Sequence, residues 1–197
     1  MNHLLLAPAI AVVSLVVAAQ VALAHITPPV ILASDRDAVL RLLPGARRFF
    51  VKEIRLSPAQ QEKVKKETGW RPDESFYRFY LGRDEQGRLV RSTVFLTEYT
   101  IHGPVRVAVG LDPEGRVSGA QVVELTEETY PWLKPLLDQD FTRVYVGRNG
   151  HGSFALTDRV AGVISSMPRF YAQIVASLLQ RAALLYEVAG IATGGSA

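Results

Sequence analysis

Two stretches of the chain carry residues whose types and spacing bear on chemistry. The first, residues 157–166, reads TDRVAGVISS and leads into a long helical pattern. A helix amino terminus presents unpaired N–H groups and a partial positive charge. Arg159 and Arg169 flank that start, where a cation is unfavourable by roughly 0.3–1 kcal/mol unless an anion sits among them. Gly162 permits close backbone approach, and Ser165 and Ser166 offer hydroxyls. This set describes a phosphate seat. The competing reading has Ser165 or Ser166 as a helix cap and both arginines in solvent. The second stretch, residues 124–133, reads ELTEETYPWL. Its adjacent Glu127 and Glu128 are either an acid–base pair or two solvated carboxylates.

Other chemistries are poorly represented. The four histidines (His3, His25, His102, His151) show no i,i+4 pair and no acidic partner pattern, and read as loop residues rather than metal ligands. Gly150-His151-Gly152-Ser153 lacks the G-x-S-x-G order of a nucleophile elbow and reads as a flexible loop. No phosphate-cradling G-x-x-x-x-G-K-[ST] or G-x-G-x-x-G occurs. The absence of cysteine excludes disulfides, thiolate zinc and iron–sulfur ligation. The 197 residues carry a formal net charge of +3 without a run of five like charges, so no nucleic-acid partner is expected.

These stretches must be positioned by the elements around them. Residues 34–43 form a helical pattern with Ser34 as cap, Asp35 and Asp37 in the first turn, and Pro44-Gly45 after it. Residues 49–56 are strand-like. Ser57-Pro58 opens a polar surface helix that Gly69 ends. Four strands follow at 75–81, 88–100, 105–110 and 117–125, separated by turns at 84–87, 102–104 and 112–115. Connections this short require antiparallel pairing. Residues 127–152 read as irregular. Residues 167–189 form a long helix with Pro168 in its first turn, Gly190 after it and one broad apolar face. The expected fold is therefore α+β: an antiparallel meander packed against a long C-terminal helix.

Residues 4–24 are apolar except for Ser14 and Gln20, with no Asp, Glu, Lys or Arg. The run is long enough to span a bilayer, which takes roughly 20 residues. It also ends in Ala22-Leu23-Ala24, the form of a signal cleavage site. An apolar anchor helix, a cleaved signal and a buried soluble helix all fit; the first two place the remainder on the extracytoplasmic, periplasmic side of a membrane. The expected division is an anchor or signal segment at 1–24, an N-terminal α/β part at 25–98, a second part at 99–190 and a flexible tail at 191–197.

The second part resembles the FMN-binding domain family, which includes the membrane-anchored flavin subunits of sodium-pumping NADH:quinone oxidoreductase and of the Rnf complex. Residues 105–123, VRVAVGLDPEGRVSGAQVV, are similar to the family's strand–turn–strand. Residues 128–133, ETYPWL, resemble its E-T-P-G-L-G segment with Tyr130 inserted, and Asp158 to Ser166 falls where it carries D-x-x-[ST]-G-A-T. The resemblance implies FMN as cofactor and electron transfer at a membrane, beside other redox-complex subunits. Asp158 and Gly162 keep the family pattern, whereas Ile164 stands at the threonine that accepts the flavin phosphoester. Isoleucine has no nucleophilic oxygen, so FMN is expected to be held non-covalently. The implied seat has Glu128 and Thr129 at the flavin edge, Trp132 or Tyr130 against the ring, and Asp158, Gly162, Ser165 and Ser166 around the phosphate. Loss of the flavin, leaving an assembly or binding subunit, is the alternative expectation.

Overall fold

The computed structural model describes residues 27–157 and 166–191. Strand β1 (Pro29–Ile31) is followed by helix α1 (Asp35–Leu42), strand β2 (Arg48–Ile54) and helix α2 (Pro58–Thr68). Strands β3 (Tyr77–Arg83), β4 (Leu89–Thr100), β5 (Gly103–Leu111) and β6 (Val117–Thr126) form the central run. Helix α3 (Tyr130–Leu137), a 3-10 turn (Phe141–Tyr145) and helix α4 (Ser166–Val188) complete the chain.

All six strands form one antiparallel sheet in the order β1-β6-β5-β4-β3-β2. One face carries Tyr77, Phe79, Val94, Leu96, Val107, Val109 and Val122, packed on Tyr171, Val175, Leu178, Leu179 and Leu185 of α4. The smaller opposite core is formed by α1, with Ala38 and Leu42 against Ala108 and Val123. Period-two strands supply one apolar row per face, and the 3.6-residue period of α4 supplies the stripe that covers the wider one. The caps fall where the sequence places them. The Ser34 hydroxyl accepts from the Asp37 N–H, and Ser57 and Gln60 form a reciprocal capping box. Gly69 ends α2 with φ 70°, a conformation that favours glycine.

The expected fold needs correction. The sheet is larger than the four-strand meander: β2 extends it on one side and β1 on the other. Strand β1 starts at Pro29, directly after Pro28, and so carries no strand signal in the sequence. Proline is tolerated there, at the start of an edge strand. Among the described residues no helix is long and apolar enough to cross a membrane, so the fold described here contains no anchor helix. Residues 1–24, to which that helix was assigned, lie outside the described residues. The segment read as irregular contains α3 and the 3-10 turn. The boundary between residues 98 and 99 falls inside β4, and the core runs through both parts.

Candidate functional site

The site forms where the β4–β5 hairpin, the end of β6 and the start of α4 meet. Thr100 pairs with Gly103, leaving a two-residue turn of Ile101 and His102. Gly103 has φ 99°, open to glycine and strained for other residues. The Thr100 hydroxyl donates to the Gly103 carbonyl at 2.9 Å and accepts from the His102 N–H at 3.1 Å. The antiparallel return of β5 and β6 then carries Thr126 to Thr129 alongside this turn. The Thr126 hydroxyl donates to the His102 carbonyl at 2.8 Å.

His102 and Glu128 meet in the resulting corner, with imidazole Nδ1 2.8 Å from a carboxylate oxygen. Two aromatic rings, Trp132 and Tyr171, flank them. His102 stands edge-on to Trp132 at 5.2 Å and tilted to Tyr171 at 6.5 Å, and Trp132 lies 5.5 Å from Tyr171 at 33°. The Tyr171 hydroxyl lies 3.1 Å from that of Thr100. Burial pushes the Tyr171 phenol above its usual range; the Thr100 hydrogen bond opposes this and the Glu128 charge adds to it. Beside the corner, Ile101 of the turn is 95% exposed and Phe170, edge-on to Tyr171, is 52% exposed.

Of the residues expected to form a site, Glu128 and Trp132 are brought together here. Ser166 is the exposed first residue of α4, one turn before the helix enters the corner at Phe170 and Tyr171. Thr129 is close but fully buried. Its hydroxyl accepts from the Thr126 N–H at 3.1 Å and lies 3.1 Å from the Thr126 hydroxyl, so this side chain braces the β6 end and does not face a flavin edge. Asp158, Gly162 and Ser165 lie outside the described residues. The first turn of α4 has no acidic residue and carries Arg169, the reverse of the usual helix-dipole preference and favourable for an anion.

The composition-based reading missed His102 and Tyr171. Tyr171 lies on the apolar face of its helix, where the sequence gives no sign of the polar contact its hydroxyl makes with Thr100. His102 has no acidic neighbour in sequence; two register shifts along the β5–β6 pair, at Gly110/Leu111 and Arg106/Val107, bring it level with Glu128. The same correction applies to the Gly150–Ser153 loop, which is not a loose one. His151 contacts Glu187 at 2.8 Å and Glu67 at 3.6 Å, and Gly150 packs so tightly against Leu184 that a Cβ would collide with it.

A concavity of about 550 Å³ lies on the adjoining margin where β3 and β4 diverge, lined by Trp70, Tyr77, Phe95, Glu98, Tyr99 and Arg106 among others. The Glu98–Arg181 ion pair stands at this margin, and the Arg181 guanidinium lies over the Trp70 ring at 5.0 Å. Compared with known protein families, with curated proteins and with solved structures, the chain has no significant match in any of the three.

Proposed function

We propose that the chain is an electron-transfer protein that holds FMN without a covalent bond, rather than a stand-alone enzyme. The observation carrying this reading is the convergence, at one corner, of the Glu128–Trp132 segment with the start of α4. An aromatic edge, a carboxylate–imidazole pair and an anion-favouring helix start match the three parts of a flavin nucleotide: ring, polar rim and phosphate. When bound, FMN would supply one- or two-electron chemistry. Trp132 would flank the ring, Glu128 would bond its polar edge, and Ser166 with the first amides of α4 would take the phosphate. His102 stays oriented by Thr126 at its carbonyl and by Glu128 at its ring. The charge-free composition of residues 4–24 supports placing this domain at the extracytoplasmic face of a membrane, beside redox-complex subunits.

Titration of FMN into the purified full-length chain, followed by flavin fluorescence, tests the proposal. Saturable quenching is expected, weakened roughly tenfold by Trp132→Ala, the loss of about 1.4 kcal/mol. A chain that is colourless and leaves FMN fluorescence unchanged removes the proposal. One observation favours the flavin-free reading instead: Trp132 and Tyr171 already occupy one another's faces. In that case the same corner is an assembly surface, and Trp132→Ala weakens capture of a membrane partner instead of a nucleotide.

A further inference from the structure

Strand β2 ends the sheet; among the described residues only β3 pairs with it. Natural edge strands are normally blunted by charge, proline, bulges or short length. This one carries charge at Arg48, Lys52 and Glu53 but no proline or bulge. It runs seven residues with regular pairing to β3, and its centre is three consecutive exposed apolar residues: Phe49 at 50%, Phe50 at 47% and Val51 at 56% exposure. Neighbouring side chains of a strand point to opposite faces. Phe49 and Val51 therefore continue one face of the sheet and Phe50 the other. A partner lying on one face would cover only part of this set. An added strand covers both faces and also satisfies the free backbone groups of the edge. Insertion into lipid would cover the side chains but leave those N–H and C=O groups in hydrocarbon, at several kcal/mol each.

Charge identifies the added strand. Arg47, Arg48, Lys52 and Arg55 surround the apolar centre. Of the acids beside them, Glu53 is taken up by Arg78 at 2.7 Å and Glu85 stands 3.8 Å from Arg47, which leaves Arg48, Lys52 and Arg55 in excess. A second copy fits badly. A two-fold antiparallel pair sets one residue opposite its own copy. Centred on Phe50, it places Arg48 opposite Lys52; on Val51, Arg47 opposite Arg55; on Lys52, lysine opposite lysine. Like charges directly opposed across strands are destabilising. Centred on Phe49, the pair opposes no like charges but takes in only Arg48 to Phe50 of the strand and leaves Val51 to Ile54 uncovered. We propose that the free edge of β2 takes up an extended segment of another protein, apolar at its centre and acidic at its ends, as a seventh strand. This stands on the sheet edge and is independent of the flavin reading.

The test uses the full-length chain and a fluorescein-labelled synthetic peptide in which valine and threonine alternate between pairs of glutamates. Fluorescence anisotropy should rise saturably. Binding should weaken roughly tenfold or more when lysines replace the peptide's glutamates, or with the R48E/K52E variant. Amide-exchange protection should appear in residues 48–54. A peptide N-methylated at alternate residues, which cannot complete the strand ladder, should not bind; this control leaves the protein unaltered should the variant fold poorly. Equal binding of acidic and basic peptides, or protection confined to the corner of His102 and Glu128, overturns the proposal. So does a β2-dependent dimer in sedimentation, or co-sedimentation with phosphatidylserine-containing vesicles by a chain that ignores the acidic peptide.

Discussion

Thr129 shows how a residue can sit in the right place and have a different task. The ETYPWL resemblance assigned it to a ligand edge, but its hydroxyl is the acceptor for the buried Thr126 amide and lies inside a brace reaching the His102 carbonyl. Thr129→Val keeps the shape and strands that N–H, which costs about 1–3 kcal/mol. The expected result is a lower urea midpoint with little change in FMN affinity. An affinity loss at unchanged stability would return Thr129 to the binding surface. Types and local spacing single out Glu128 and Trp132, and the fold brings both against His102. They do not single out His102, Thr100 and Tyr171, because the roles of these three arise from contacts across strands and between β4 and α4, which a reading by neighbouring residues does not weigh.

Elements announced by punctuation were the readable ones. Ser34, Ser57-Pro58, Gly69, Pro168 and Gly190 mark helix ends, and the turns at Asp84–Gly87 and Asp112–Gly115 mark hairpins. Helix α3 was hidden because Pro131 and Pro135 resemble breakers, although Pro131 occupies a first-turn position where its missing N–H costs nothing. Strand β1 was hidden by Pro28 and Pro29 at its start. The turn before β6 also carries a constraint beyond its own conformation. Gly115 has φ 78°, and a Cβ there would lie 2.7 Å from the Tyr186 ring of α4. Gly115→Ala should therefore destabilise the fold by roughly 1–3 kcal/mol, seen as a lower thermal midpoint. An unchanged midpoint would mean that α4 yields at this contact.

At the scale of the whole molecule, the two sheet faces are held differently. The α4 side is a continuous apolar core, whereas the α1 side combines a small core with an ion pair. Arg106 donates to both oxygens of Asp35, at 2.5 and 2.8 Å, and lies 4.5 Å above the Phe95 ring. The Arg106 hydrogen bond holds the Asp35 carboxyl below its usual range, against the opposing effect of burial. A depressed carboxylate stabilises the fold above its unfolded pKa, and that contribution fades as pH falls through the lower folded value. Asp35→Asn should cost roughly 0.2–1 kcal/mol at neutral pH, with the difference shrinking in acid. Urea unfolding at pH 7 and pH 3 checks this; a deficit that grows in acid would contradict the assignment.

Gln60 has a consequence for the order in which the protein matures. Its side-chain oxygen accepts from the Ser57 N–H at the front of α2, while its amide nitrogen donates to the Val188 carbonyl, 128 positions later, at 2.6 Å. Lys63 adds a 2.7 Å contact to Glu187. During synthesis α2 emerges early, yet both partners lie in the last turn of the final helix. Its capping glutamine therefore lacks that second partner until the 128 residues that follow it have been made.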